Sequence, residues 1–165
     1  MGDLVRLQLG ERRGFRRGTS ATALYQEGCA REAADPAGAA RWYERALAGR
    51  PDLADAHNNL GRVIHESDGQ GALAVAEAHY RLAICSSPEV ALYWFNLGVV
   101  VEDQGRTSEA IAAYEHALAL DGGLADAHFN LARLLELVGR RGEDELALRR
   151  AMRHLVNYRK LSRAG

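Results

Sequence analysis

Apolar side chains recur along the chain with the spacing of helices that are buried on one side. Between residues 91 and 105, the positions i, i+3, i+4 and i+7 are taken by Trp94, Leu97, Gly98 and Val101. A second stretch with helical spacing contains Ala110, Ala113, Tyr114, Ala117 and Leu118. The pattern predicts a first helix that ends near Gly105, a turn and a second helix. Because Ala, Leu, Glu and Arg are abundant and prolines are few, the whole chain is predicted to be all-α.

A short phrase occurs three times in the predicted first helices. Its copies are Asn-Asn-Leu-Gly from Asn58, Phe-Asn-Leu-Gly from Phe95 and Phe-Asn-Leu-Ala from Phe129. The leucines of successive copies are 37 and 34 residues apart. Such a period is typical of helix pairs that stack into an α-solenoid, where each pair buries its apolar face against its neighbours. Because solenoids present extended concave surfaces, the sequence favours a binding protein.

Two copies of the phrase place a glycine in the middle of a predicted helix, at Gly61 and Gly98. Glycine there costs about 1 kcal/mol relative to alanine, so its recurrence indicates a packing requirement. Gly98 and Ala110 are predicted to lie where the helices of one pair cross. A larger side chain there would push the helix axes beyond their usual separation of about 8–10 Å.

The third unit, residues 91–124, resembles the 34-residue tetratricopeptide repeat. The family's consensus positions are filled by Trp94, Leu97, Gly98, Val101, Ala110, Tyr114 and Ala117, and Gly122 replaces the consensus proline. The second unit, 54–90, matches at His57, Leu60, Gly61, Ile64, Ala76, Tyr80, Ala83 and Pro88. It is three residues longer than the consensus, near the turn at 67–71.

The outer units follow the same consensus less closely. The first unit, 21–53, has Ala39, Tyr43, Ala46 and Pro51 in register, whereas Gly28 lies one place out. The fourth begins at Ala125 and matches at His128, Leu131, Ala132, Leu135 and Gly139. Irregular terminal units are expected because one of their sides faces solvent.

The resemblance implies a right-handed superhelix with repeats at 21–53, 54–90, 91–124 and 125–142. A final irregular helix at 143–162 is expected to cap the stack, with an apolar stripe of Leu148, Met152 beside Ala151, Leu155 and Tyr158. Residues 1–20, which are rich in Arg and Gly, are expected to form a flexible basic arm or linker.

In this family the first helix of each pair lines the concave groove, and one register there is asparagine in three units. These residues are Asn59, Asn96 and Asn130. A primary amide has one acceptor and two donors, which match the main chain of an extended peptide. The repeated asparagines resemble the ladder with which some family members hold a peptide backbone. The alternative is that each amide bonds a neighbouring helix or turn.

Other predicted groove positions carry apolar and charged side chains. Phe95, Val99 and Phe129 are candidates for apolar contact, although burial of the two phenylalanines between units is an equal alternative. Arg62, His65 and Arg133 are candidates for charge selection, opposite Glu102 and Asp103. No lysine precedes Lys160, so the lysine-based clamp with which some family members hold chaperone tails is not expected.

These observations favour a non-enzymatic scaffold that binds a peptide segment of a protein partner. The alternative is a regulatory or oligomerising module whose arm or cap helix, through Arg149, Arg150 and Arg153, contacts nucleic acid. The formal net charge of −1 and the pI near 6.6 argue against a general affinity for nucleic acid or for an anionic membrane. Both a monomer and a homodimer are compatible with the sequence.

Residue types that often carry chemistry lack the required spacing in this chain. Cys29 and Cys85 are isolated and are expected to be buried as small apolar side chains. His57 and His128 occupy consensus aromatic positions and are expected to pack between helices rather than bind a metal. We therefore predict no catalytic residues, metal or cofactor. The start of the chain has no apolar run of signal-peptide length, so a cytoplasmic location is expected.

Overall fold

The computed structural model of the chain describes residues 19–67 and 71–163, and these residues form eight helices and no strand. The helices are α1 (Ala21–Arg31), α2 (Pro36–Gly49), α3 (Ala54–His65), α4 (Ala72–Ser86), α5 (Ala91–Asp103), α6 (Thr107–Leu120), α7 (Ala125–Gly142) and α8 (Glu145–Leu161). The predicted all-α fold is confirmed. Residues 1–18 of the predicted basic arm lie outside the described residues.

Consecutive helices pack as antiparallel pairs, α1 with α2, α3 with α4, α5 with α6 and α7 with α8. The pairs stack because the first helix of each pair also packs against the second helix of the pair before it, at α2–α3, α4–α5 and α6–α7. Contacts therefore join elements that are neighbours in sequence, which defines a solenoid. The predicted right-handed superhelix of helix pairs with a C-terminal helix is confirmed.

The predicted close crossing at the helical glycines is confirmed, and its partner is a tyrosine ring. A Cβ atom on Gly98 would lie 2.6 Å from Cε1 of Tyr114, and one on Gly61 would lie 3.0 Å from Cε1 of Tyr80. Both rings are fully buried. Glycine is required because the ring occupies the space that a methyl group would need.

Gly28 makes the same contact although it lies one place out of the consensus register. A Cβ atom on Gly28 would lie 2.5 Å from Cε1 of Tyr43, whose ring is also fully buried. Four residues, 32–35, separate α1 from α2, and Asp35 accepts a hydrogen bond from the backbone N–H of Gly38 at its start. The local shift in sequence is thus absorbed before α2 begins, and the packing is retained.

The three extra residues of the second unit lie between α3 and α4, as predicted. Six residues, 66–71, separate these two helices, whereas three, 104–106, separate α5 from α6. Residues 68–70 lie outside the described residues. Gly71 and Gly105 each lie in one of these turns with a positive φ, of 78° and 76°, a conformation that glycine adopts without strain.

A buried carboxylate ties the second pair to the third. Glu77 of α4 accepts hydrogen bonds from Arg106 at 2.7 and 2.8 Å and from the Gln104 amide at 2.8 Å. Burial by itself would raise the pKa of Glu77, but these hydrogen bonds, with the charges of Arg81 and Arg106, outweigh it and lower that pKa. Glu77 is therefore held charged between the two pairs.

The last pair departs from the others in its turn and in its exposed face. Helix α7 continues through Gly139, against which the side chain of Leu148 packs, and α8 begins after Asp144, which accepts hydrogen bonds from two backbone N–H groups. The prediction that Met152 belongs to the buried stripe is wrong, because its side chain is 68% exposed. Ala147 and Ala151 take the buried side of α8.

None of the helices in the described ranges has the length and apolar character that crossing a membrane requires.

Candidate functional site

One cavity between α3, α5 and α7 brings together most of the predicted groove residues. Its volume is about 450 Å³. Six of its lining residues were predicted from the sequence: Arg62, His65, Phe95, Asn96, Val99 and Asn130. Glu66, Tyr80 and Asp126 complete the lining. We call the face formed by α1, α3, α5 and α7 the first-helix groove, and this cavity its centre.

A second cavity, of about 560 Å³, extends the groove toward α1 and α2. It is lined by Cys29, Glu32, Ala33, Pro36, Asn59, Arg62 and Glu66. It shares Arg62 and Glu66 with the central cavity, so the two are continuous. The prediction that Cys29 and Cys85 are buried is wrong, because both are exposed, and Cys29 lies within the groove.

The three predicted asparagines use their amide groups differently. Asn96 donates to Oδ1 of Asn58 at 2.8 Å, and Asn130 donates to the hydroxyl of Tyr114 at 3.3 Å. The amide oxygens of Asn96 and Asn130 accept no hydrogen bond from any residue in the described ranges. Asn59 has partners on both sides: Nδ2 donates to Tyr25 at 3.4 Å and Oδ1 accepts from Asn58 at 3.2 Å. Asn96 and Asn130 therefore each donate a hydrogen bond within the protein and keep an amide oxygen that accepts none from the described residues.

Ion pairs join successive first helices along the groove. Arg62 of α3 pairs with Glu32, the residue that follows α1. His65 of α3 lies 2.7 Å from a carboxylate oxygen of Asp103 on α5, and Arg133 of α7 pairs with Glu102 of α5. These three contacts involve all of the basic residues that we predicted to select the charge of the ligand. Each of them already has an acidic partner inside the protein.

The residues of the regular third unit, 91–124, match the tetratricopeptide repeat family model. This third unit is a tetratricopeptide repeat. Among solved structures, MamA from Desulfovibrio magneticus RS-1 has the same fold with a TM-score of 0.71, at 21% sequence identity over 89% of this chain and 78% of that chain. Another crystal structure of MamA gives a TM-score of 0.72, at 21% identity over 86% of this chain and 82% of that chain. At these identities the likeness shows the fold. No curated protein matches the sequence significantly.

Two of the predicted groove residues lie beyond the central cavity, at the end of the repeat stack. Phe129 packs on the ring of Tyr158, with centroids 5.2 Å apart, and its side chain is 43% exposed. Phe95, at the same repeat position, packs on Tyr114 at 5.8 Å and is covered further by the next repeat. Arg133 lines a separate cavity of about 290 Å³ on α7. These differences arise because no repeat follows α7 and α8 in the described residues.

Two residues at groove-facing positions of the second unit were given no role in binding from the sequence. Asn58 bonds both Asn59 and Asn96, and Asp55 accepts a hydrogen bond from the hydroxyl of Tyr93 at 2.5 Å. Burial, helped by the nearby Asp55 carboxylate, raises the pKa of the Tyr93 phenol above its usual range, so this phenol stays a donor. Asn58 occupies the repeat position that holds phenylalanine in the next two units. This difference between units was the signal in the sequence that could have identified Asn58 as a functional residue.

On the second-helix side, two repeats hold a pair of histidines. Nδ1 of His57 lies 3.0 Å from Nδ1 of His79, and Nδ1 of His128 lies 2.8 Å from Nδ1 of His154. His57 and His128 are buried, and the Nε2–H of each donates to a backbone carbonyl, of Pro51 and Gly122. Their predicted packing role is confirmed. Burial first, and the facing histidine second, lower the pKa of His79 and of His154.

Within residues 19–67 and 71–163, no group of three or more His, Cys, Asp or Glu side chains could hold a metal ion.

Proposed function

We propose that the protein is a non-enzymatic scaffold that binds an extended peptide segment of a partner protein in the first-helix groove. The tetratricopeptide repeat fold supports a role in protein–protein interaction in general. The single observation that carries the proposal of a groove ligand is the central cavity, which gathers amides, apolar side chains and paired charges from three successive first helices. Its volume of about 450 Å³ falls in the range of known ligand sites.

Asn96 and Asn130 are proposed to hold the peptide main chain. Each amide is oriented by a hydrogen bond that it donates within the protein, and each keeps an oxygen that accepts none from the described residues. A peptide N–H is a suitable donor for such an oxygen. Because Asn59 has partners on both sides of its amide, its contribution is expected to be smaller than that of the other two.

Phe95 and Val99 are proposed to receive one apolar side chain of the peptide. Both are half-buried and line the central cavity between α5 and α7. An anchor of this kind, surrounded by polar groups, is the usual source of affinity at a peptide site. Phe129 is proposed to extend the apolar contact toward the end of the stack.

Arg62, His65 and Arg133 are proposed to select charge by exchange of partners. A peptide carboxylate must compete with Glu32, Asp103 or Glu102 for these groups. Such exchange replaces one half-exposed ion pair by another, so its net contribution is small. We therefore expect the groove to bind neutral, apolar segments with weak dependence on salt.

A peptide array tests the proposal with five proteins. Wild type is compared with Asn96→Ala, Asn130→Ala and the triple variant that also carries Asn59→Ala. The control is Asn157→Ala on α8, which removes a half-buried asparagine outside the groove. Each of the first two is expected to weaken a bound peptide about five- to tenfold, because one hydrogen bond is lost. Equal binding by the wild type and the triple variant would eliminate the asparagine ladder.

A further inference from the structure

Every helix pair but the last is covered by the first helix of the next pair. Helix α3 packs on α2, α5 on α3 and α4, and α7 on α6. The equivalent side of the last pair is not covered by any residue in the described ranges. The two phenylalanines at the same repeat position differ in exposure for this reason. Phe95 is half-buried, whereas Phe129 in the last pair is 43% exposed.

The uncovered pair carries several apolar side chains that are exposed or half-exposed. Tyr158, on whose ring Phe129 packs, belongs to the same stripe of α8 as Leu155 and Met152. Met152 is the most exposed large hydrophobic side chain in the described ranges, at 68%. On α7, Leu137 is exposed in the cavity that Arg133 also lines. We call the surface formed by Phe129, Leu137, Met152, Leu155 and Tyr158 the end face.

The surroundings of the end face are cationic. Residues 125–163 contain nine Arg and Lys against five Asp and Glu, in a chain whose formal net charge is −1. Arg149 pairs with Glu145 on the exposed side of α8, whereas Arg153, Arg159 and Lys160 form no ion pair with any described residue. An occupant of the end face is therefore favoured if it carries acidic side chains beside its apolar ones.

A second copy of the chain, stacked head to tail, offers little apolar surface to the end face. The exposed residues of its α1 include Thr22, Gln26 and Ala30, none of which is a large apolar side chain. Trp42 of the same terminal pair is half-buried and lies close to two arginines, with the guanidinium of Arg45 at 4.4 Å from the ring centroid. Little apolar area would therefore be buried.

We propose that the end face docks an amphipathic helix of a partner protein, with an apolar stripe bordered by Asp and Glu. The helix takes the place that a further first helix would occupy in the stack. The chain itself provides the precedent, because α3 and α7 begin with Asp55 and Asp126 beside the apolar residues that they bury against the pair before them. The end face shares Phe129 with the proposed apolar contact of the first-helix groove, whereas Met152 on α8 lies outside that groove.

Fluorescence anisotropy with a labelled synthetic helix tests the proposal. The probe has about five helical turns, or about 18 residues, with Leu along one face and Glu on its flanks. A matched probe has Lys in place of Glu. Wild type is expected to bind the Glu probe and not the Lys probe. Met152→Glu is expected to weaken binding of the Glu probe at least about tenfold, because it puts a charge in the centre of the apolar surface.

Leu82→Glu on α4 is the matched control, since Leu82 is also an exposed apolar residue, away from the end face. Leu82→Glu is expected to leave binding of the Glu probe unchanged. Met152→Ala removes the same apolar contact without adding a charge, and circular dichroism of every variant shows whether the fold is retained. Equal binding of the Lys probe, or equal loss in Met152→Glu and Leu82→Glu, overturns the proposal. Binding of a DNA or RNA duplex in place of the Glu probe also overturns it. Self-association in light scattering that Met152→Glu abolishes would show a second copy as the occupant and would overturn it too.

Discussion

The first three helix pairs and the fourth solve the same packing problem in different ways. In each of the first three, a glycine on the first helix lies against a fully buried tyrosine ring of the second, and Gly98 with Tyr114 is the regular example. In the fourth pair, Ala132 replaces the glycine, and a glycine meets a side chain instead at Gly139, against Leu148. The difference shows that a large ring at the crossing accompanies the pairs on which a further first helix packs, whereas the last pair keeps its largest side chains, Phe129 and Tyr158, at least partly exposed.

Removing an aromatic ring is expected to give the largest difference in stability between the third pair and the last pair. Tyr114→Ala empties a fully buried site and is expected to lower the free energy of unfolding by about 3–5 kcal/mol. Tyr158 of the last pair is half-buried, so Tyr158→Ala is expected to lower the free energy of unfolding by only about 1–2 kcal/mol. Urea unfolding followed by circular dichroism measures both. Equal losses would mean that the covered and uncovered pairs contribute alike.

Neutralising the buried carboxylate tests what holds the covered pairs to each other. Glu77→Gln removes the charge that accepts hydrogen bonds from Arg106 and Gln104. The expected loss is about 2 kcal/mol in the free energy of unfolding, the range for hydrogen bonds to a charged group. Glu145→Gln on α8 removes an exposed ion pair with Arg149 and should change it by less than about 0.5 kcal/mol. A loss for Glu145→Gln as large as that for Glu77→Gln would contradict this account.

Exchanging glycine and alanine at the crossing sharpens the comparison. Gly98→Ala places a methyl group 2.6 Å from a ring atom of Tyr114, and it is expected to destabilise the protein by about 1–2 kcal/mol despite the better helix propensity of alanine. Ala132→Gly should cost about 1–2 kcal/mol, because helix propensity and the packing of a buried methyl group are both lost. The two variants are read by thermal and urea unfolding. Stabilisation by Gly98→Ala would show that the ring moves aside.

The smallest expected effect is the pH dependence of the histidine pairs, which occur in a covered repeat and in the last one. The unfolded chain binds a proton at each histidine with a pKa near 6.5. Because His79 and His154 have lowered pKa values in the fold, the unfolded state holds more protons below about pH 6.5, and stability falls as the pH drops through that value. The facing charges are His57 for His79, and His128, Glu115, Arg150 and Arg153 for His154.

Urea unfolding at several pH values measures this slope, and His79→Gln and His154→Gln should each reduce it. NMR titration of the histidine rings provides the control, since both residues are expected to titrate below the value of an exposed histidine. An unchanged slope in both variants would mean that the pairs do not couple protonation to folding.

Sequence periodicity was enough to predict features that depend on neighbours along one helix. The helix pairs, the glycine crossings and the longer connection between α3 and α4 all follow from local spacing. The six residues that meet in the central cavity were found because one repeat position maps to one side of the stack. Their role in binding stays a prediction.

Features that depend on rotation between repeats could not be predicted in this way. The partner of Arg62 is Glu32 and the partner of Arg133 is Glu102, each about one repeat away in sequence. Met152 was assigned to the buried side because its spacing fits the stripe, but Ala147 and Ala151 pack there since small residues allow α7 and α8 to approach. The exposed cysteines were misjudged for the same reason, as residue type says little about which side of a helix is covered.

The contacts between basic and acidic side chains along the first-helix groove tie one repeat to the next on the groove side of the stack. Opening the contact between His65 and Asp103 would release α3 from α5 at that point. A ligand that captures one of these carboxylates or cations would free one joint between repeats, so occupancy of the groove would be linked to the stiffness of the solenoid.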